Sequence, residues 1–117
     1  MSNNKIKITS HILDTSTGKP ASGISVKLFF QNDKSGWNEI ASGVTNSDGR
    51  IPDILQEEKI LEPGIYKITF QTKKYFEEKK TKSFYPFIEI IFEISNEEHY
   101  HIPLLLSPFG YSTYRGS

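Results

Sequence analysis

The sequence predicts an all-β antiparallel sandwich of about eight short strands with one short helix, and three observations predict it. Apolar residues recur with a period of two in one stretch after another, turn signals separate those stretches, and a single segment has the composition of a helix. The chain of 117 residues has the length of one domain, expected over residues 1–117, and can bury a core without disulfides or a structural metal.

Each element follows from its own residues. "KIKITSHIL" places Ile6, Ile8 and Ile12 on one face, and "GISVKLFFQ" does the same with Ile24, Val26, Leu28 and Phe30. Further strands are expected over 37–45, 64–72, 87–94 and 99–107, with the terminal "YSTYRGS" as the last. Between them stand Thr17-Gly18-Lys19-Pro20, Asn46-Ser47-Asp48-Gly49, Glu62-Pro63-Gly64 and Ser95-Asn96, whose residues suit tight turns. "TKKYFEEKKTK", rich in Lys and Glu around Tyr75 and Phe76, is the one helical candidate.

Two strands are apolar on both sides. In "FYPFIEIIFEI", Phe84, Ile88, Ile90, Phe92 and Ile94 form one alternating set, while Phe87 and Ile91 stand on the opposite face. In "HYHIPLLLSP", Tyr100, Ile102, Leu104 and Leu106 take one face and His99, His101, Pro103 and Leu105 the other. Such a sheet needs something over its outer face. Either a second copy of the chain covers it, or the helix or a loop does.

Composition excludes several function classes. Fourteen basic residues balance fourteen acidic ones, so no basic field invites nucleic acid or an anionic membrane surface. The absence of cysteine removes disulfides and thiolate nucleophiles and fits a reducing compartment. "MSNNKIKITS" holds no apolar stretch of signal length, the run Leu104 to Leu106 is far too short to span a bilayer, and the last three residues are not a peroxisomal address. The expectation is a soluble, cytoplasmic protein.

Chemistry must then come from the covered faces. His11 points away from Ile6, Ile8 and Ile12, and His99 and His101 share a face of their own strand. A "GxSxG" nucleophile turn is absent. "HxH" on a strand with a third histidine elsewhere could bind zinc, although no acidic partner for the ligands is evident. The other reading is metal-free acid–base chemistry, with a histidine moving a proton and arginines stabilising negative charge. Arg50 leaves the tight turn "TNSDG" and could be an ordinary exposed arginine. Arg115 lies beside Gly116, which permits close backbone approach, and Tyr114, which offers a ring and a hydroxyl. Its guanidinium fork suits the oxygens of a flat polar heterocycle or a carboxylate.

"SHILDTSTGKPA", "TNSDGR" and "HYHIPLLLSPFGYSTYRGS", in that order and joined by "GIYKITF" and "FYPFIEI", resemble the 5-hydroxyisourate hydrolase family, the transthyretin-like enzymes of urate degradation. The terminal Tyr114-Arg115-Gly116-Ser117 is the specific part of the resemblance, which spans nearly the whole chain. It implies a transthyretin-type sandwich assembling as a homotetramer, a dimer of dimers, with active sites in the channel between dimers. It also implies hydrolytic opening of 5-hydroxyisourate to 2-oxo-4-hydroxy-4-carboxy-5-ureidoimidazoline, with no organic cofactor and no metal.

Site roles follow from the resemblance only where the motifs match. His11 stands in "HILD", Arg50 in "DGR", His101 is the second histidine of "HYHIP", and the tetrad occupies 114–117. The resemblance implies that His11 and His101 orient and deprotonate water, and that Arg50 holds the substrate's polar edge and stabilises the oxyanion. Tyr114 would contact the ring, and Arg115 and Ser117 would complete the wall; His99 is expected to be a neighbour rather than a participant. Two other classes compete: a small-molecule carrier of the transthyretin type, which has no use for these polar groups together, and a structural sandwich module of a larger protein.

Overall fold

The computed structural model describes residues 6–32, 36–55, 61–95 and 99–116. Nine strands and one helix follow in chain order: β1 (Lys7–Asp14), β2 (Lys19–Pro20), β3 (Ser25–Gln31), β4 (Trp37–Val44), β5 (Arg50–Ile51), β6 (Gly64–Phe70), α1 (Thr72–Glu78), β7 (Ile88–Ile94), β8 (His99–Ser107) and β9 (Gly110–Thr113). Two of them, β2 and β5, are only two residues long, so the expected count of about eight strands and one short helix matches what forms. Of the predicted turn Ser95-Asn96, Asn96 lies outside the described residues.

One sheet has the order β2-β1-β8-β9, with β5 also paired to β1, and the other has the order β4-β3-β6-β7. Pairing is antiparallel except between β1 and β8, which run parallel over eight residue pairs from Lys7↔His99 to Asp14↔Leu106. Period-two alternation carries no information on strand direction. A parallel pair needs a long crossover, and here the whole second sheet lies between the two strands in sequence.

The core lies between the sheets, where Ile8, Ile12, Val26, Leu28, Phe70 and Leu104 have no exposed surface. Each such side chain contributes up to about 1.5–3 kcal/mol through its removal from water. Because these inward residues alternate with outward ones, their burial decides which way every neighbouring polar side chain points. In β1 the inward set is Ile8, Ser10, Ile12 and Asp14, leaving Thr9, His11 and Leu13 on the outer face.

The helix ends at Glu78, earlier than its Lys-rich tail suggests, as Lys80 adopts φ 53° in the turn that follows. It buries Tyr75 and Phe76 against the core. The Tyr75 hydroxyl donates to Asp14 Oδ2 at 2.7 Å, and Asp14 Oδ1 accepts from the Ser16 backbone N–H at 2.9 Å and the Ser16 hydroxyl at 2.5 Å. Burial alone would raise the Asp14 pKa, but these hydrogen bonds outweigh it and hold the carboxyl below its ordinary value of 3.8. The same burial and the adjacent carboxylate push the Tyr75 phenol well above its usual range.

One part of the two-sided pattern is corrected. Phe84 was expected with the inward set of β7, but that strand begins at Ile88, and Phe84 is 68% exposed. Its N–H is donated to Pro108 O at 2.8 Å, and its ring meets Tyr85 edge-on, so the connection between helix and strand breaks the alternation before it reaches Phe84. Phe87 and Ile91 do face outward as expected, at 47% and 61% exposure, and neither the helix nor a described loop covers them. Among the described residues, no helix is long and apolar enough to cross a membrane.

Candidate active site

The parallel register of β1 and β8 assembles the histidines. Paired residues of adjacent strands share a face, so Lys7 stands beside His99, Thr9 beside His101, and His11 beside Pro103. Thr9 Oγ1 lies 2.7 Å from His101 Nδ1 and 3.0 Å from His99 Nε2, with the two ring centroids 6.4 Å apart. Both histidines of "HxH" therefore turn to one hydroxyl on the neighbouring strand.

Arg50 is brought to the same face by its turn. Asn46 Oδ1 accepts the backbone N–H groups of Asp48 and Arg50 at 2.9 and 3.0 Å, an Asx-type closure that accounts for the Asn in "TNSDGR". Gly49 adopts φ 72° and donates its N–H to Asn46 O at 2.8 Å, while its carbonyl accepts from Ile12 N at 2.8 Å. A Cβ at residue 49 would lie 2.6 Å from the Ile12 carbonyl oxygen, so the positive φ and the close approach both require glycine. The turn then pairs β5 with β1 so that Arg50 stands opposite His11.

The result is an open depression of about 350 Å³ whose described lining residues are Lys7, Thr9, Ser10, Arg50, Ile51, Pro52, His99 and His101, neither Asp nor Glu among them. Partial burial, followed by the like charges of His99, Arg50 and His11, lowers the His101 pKa below the usual histidine value of 6.5; a hydrogen bond to the Thr9 backbone offsets this in part. A histidine kept neutral in this way is available as a base at neutral pH. Among the described residues, no three His, Asp or Glu side chains converge as a bound metal ion would require.

The tail meets His101 from its other side. Gly116 donates its N–H to His101 O at 2.9 Å and packs so close to the ring that a methyl group at 116 would overlap His101 Cδ2. Arg115 stacks its guanidinium over Tyr100, 4.8 Å from the ring centroid, and its Nη2 reaches His99 O at 3.5 Å. Tyr114 and Arg115, with Ile90, Phe92, Glu93 and Tyr100, border a second, largely apolar groove of about 330 Å³ at the open edge between the sheets. In a single chain, then, His11, Arg50 and His101 gather on one face. Tyr114 and Arg115 line the adjoining groove, and His101 borders both hollows. Ser117 lies outside the described residues.

Sequence reasoning passed over Thr9 and set His99 aside as a neighbour. Thr9 stands two residues before His11 and so on its face, but only the parallel register reveals that its hydroxyl lies between two imidazoles.

A two-sheet sandwich of this strand order with one short helix is a transthyretin-like fold. The chain belongs to the HIUase/Transthyretin family, which it matches over residues 8–116. A 5-hydroxyisourate hydrolase of Salmonella dublin is 51% identical over 111 residues, covering 94% of this chain and 80% of the relative. The solved structure of Klebsiella pneumoniae 5-hydroxyisourate hydrolase superposes with a TM-score of 0.83 at 38% identity, covering 96% of this chain and 99% of that one. Sea bream transthyretin in complex with thyroxine superposes with a TM-score of 0.87 at 33% identity, over 94% of each chain.

Proposed function

We propose that this protein hydrolyses 5-hydroxyisourate in urate degradation, without metal or organic cofactor. The observation that carries the reading is the gathering of His11, Arg50 and His101 on one face, where Arg50 and His101 line a depression with no carboxylate among its described residues. Relatives named as 5-hydroxyisourate hydrolases support it across bacteria and animals. The thyroxine-bound transthyretin shows that the same fold also serves a carrier, but a site for a largely hydrophobic ligand has no use for three basic groups held by a dedicated turn and register.

In the proposed reaction, His101 Nε2 takes a proton from a water molecule oriented with the help of His11. The water oxygen attacks the cyclic amide carbonyl, and Arg50 stabilises the negative charge that develops on the carbonyl oxygen. Collapse of the tetrahedral intermediate breaks the ring C–N bond, and the proton held by His101 passes to the departing nitrogen. Tyr114 contacts the substrate ring, and Arg115 and Ser117 complete the wall. The whole chain acts as one domain and assembles as a cytoplasmic homotetramer, a dimer of dimers. The exposed Phe87, Ile91, Phe109 and Tyr111 supply apolar surface for such contacts.

The assay is direct. With 5-hydroxyisourate generated from urate in the cuvette, its ultraviolet absorbance should decay faster when the protein is added. An unchanged decay at micromolar protein would remove the assignment and favour the carrier.

A further inference from the structure

Thr9 Oγ1 lies within hydrogen-bond distance of a ring nitrogen on each of two histidines. A threonine hydroxyl has one proton, so it can donate to one of those nitrogens while accepting from the other. Two arrangements satisfy both contacts. In one, His101 Nδ1–H donates to Oγ1, Oγ1–H donates to His99 Nε2, and His101 Nε2 keeps its lone pair. In the other, His99 Nε2–H donates to Oγ1 and Oγ1–H donates to His101 Nδ1, so that a neutral His101 carries its proton on Nε2. Only the first leaves Nε2 able to accept a proton.

We propose that Thr9 is a positioning residue that relays the protonation of His99 to His101 and thereby decides whether His101 Nε2 keeps its lone pair and can act as a base. A protonated His99 can only donate through Nε2, which imposes the second arrangement and takes the base away. Loss of that proton lets His99 accept, which restores the first arrangement. The ring cannot readily swing to escape the choice, since Nδ1 is tied to Thr9 and the Cδ2 edge packs against the bare backbone of Gly116. His99 itself is exposed, whereas His101 is partly covered. Among the described residues, the other charged or titratable groups around the pair are Lys7 and His11 on β1, Arg50 on β5 and Arg115 of the tail.

This inference rests on the reading of His101 as the base, and the sign of one measurement separates it from simple charge repulsion. His99→Ala removes the competing donor, so the acid limb of the turnover–pH profile should move to lower pH. Were His99 only a like charge beside His101, its removal would raise the proton affinity of His101, and the limb would move to higher pH; that result, or no movement, overturns the relay. Thr9→Val should lower turnover by about 10- to 100-fold, the usual loss when a functional histidine loses its orienting partner, and Thr9→Ser should restore it.

Ring nitrogen NMR gives a readout independent of activity. In the parent, neutral His101 should pass from the Nδ1–H to the Nε2–H form as pH falls, and in His99→Ala it should stay Nδ1–H until it is protonated. An unchanged tautomer pattern in both Thr9→Val and His99→Ala overturns the relay whatever the turnover does. Tautomers that shift as expected while Thr9→Val turnover stays normal would support the relay and remove His101 as the base.

Discussion

The outer faces of both sheets carry cations and treat them in opposite ways. On the β3, β4, β6 and β7 sheet, Lys27 pairs with Glu39 at 3.4 Å and Lys67 with Glu89 at 3.3 Å. Lys67 also lies over the rings of Trp37 and Phe29, 4.5 and 5.1 Å from their centroids. On the β1, β5 and β8 face, Lys7, Arg50, His99 and His101 line a hollow with no carboxylate among its described residues. Charge compensated within its own sheet is surface. Cationic and ionisable groups gathered with no described carboxylate among them become more favourable when a ligand brings negative charge. The lesson is that net charge, which is zero over the whole chain, conceals a local imbalance that marks the site.

The comparison breaks first at His101. His101→Asn should lower turnover by about a hundredfold or more, equivalent to roughly 2.7 kcal/mol of transition-state stabilisation, with thermal stability nearly unchanged. Near-normal turnover would reduce this face to ordinary surface. In the unmodified enzyme, turnover that requires neutral His101 persists at neutral pH because the folded value is lowered, and is lost on acidification, first as the Thr9 relay puts a proton on Nε2 and then as the ring itself is protonated.

Tyr75→Phe should produce the reverse result, sparing turnover while removing a hydrogen bond to the buried Asp14, at a cost of about 1.5–3 kcal/mol in chemical denaturation. The sign with pH is set by Asp14. Its carboxyl is lowered in the folded state, so its contribution is present above the unfolded value near 3.8 and lost as pH falls through the lower folded value. Without the Tyr75 hydroxyl the folded value rises toward the unfolded one, and the acid dependence of stability flattens. An unaltered acid transition would show that Asp14 does not depend on Tyr75.

The smallest effect belongs to the compensated face. Lys67→Met should cost about 1 kcal/mol or less in stability and leave turnover at the parent level. A loss of activity there would mean that the two faces are not functionally distinct.

Much of this was legible in the chain because alternation is local. Ile8 and Ile12 fix the facing of His11, and Tyr100 and Ile102 fix that of His99 and His101, before any strand is paired. "TNSDGR" likewise announced its turn through Asn46 and Gly49. Phe84 was misplaced because alternation was extended past the start of β7 into a connection whose backbone is held by Pro108.

The sequence by itself determined the two-layer strand pattern, the single helix and the face on which each histidine stands, since side-chain direction follows from burial of the nearest apolar neighbours. Tertiary structure alone decided that β1 and β8 run parallel, that Arg50 stands opposite His11, and that Thr9 comes between His99 and His101. The physical reason is that register between strands some 90 residues apart is set by packing of the two sheets against each other, and no local preference encodes it.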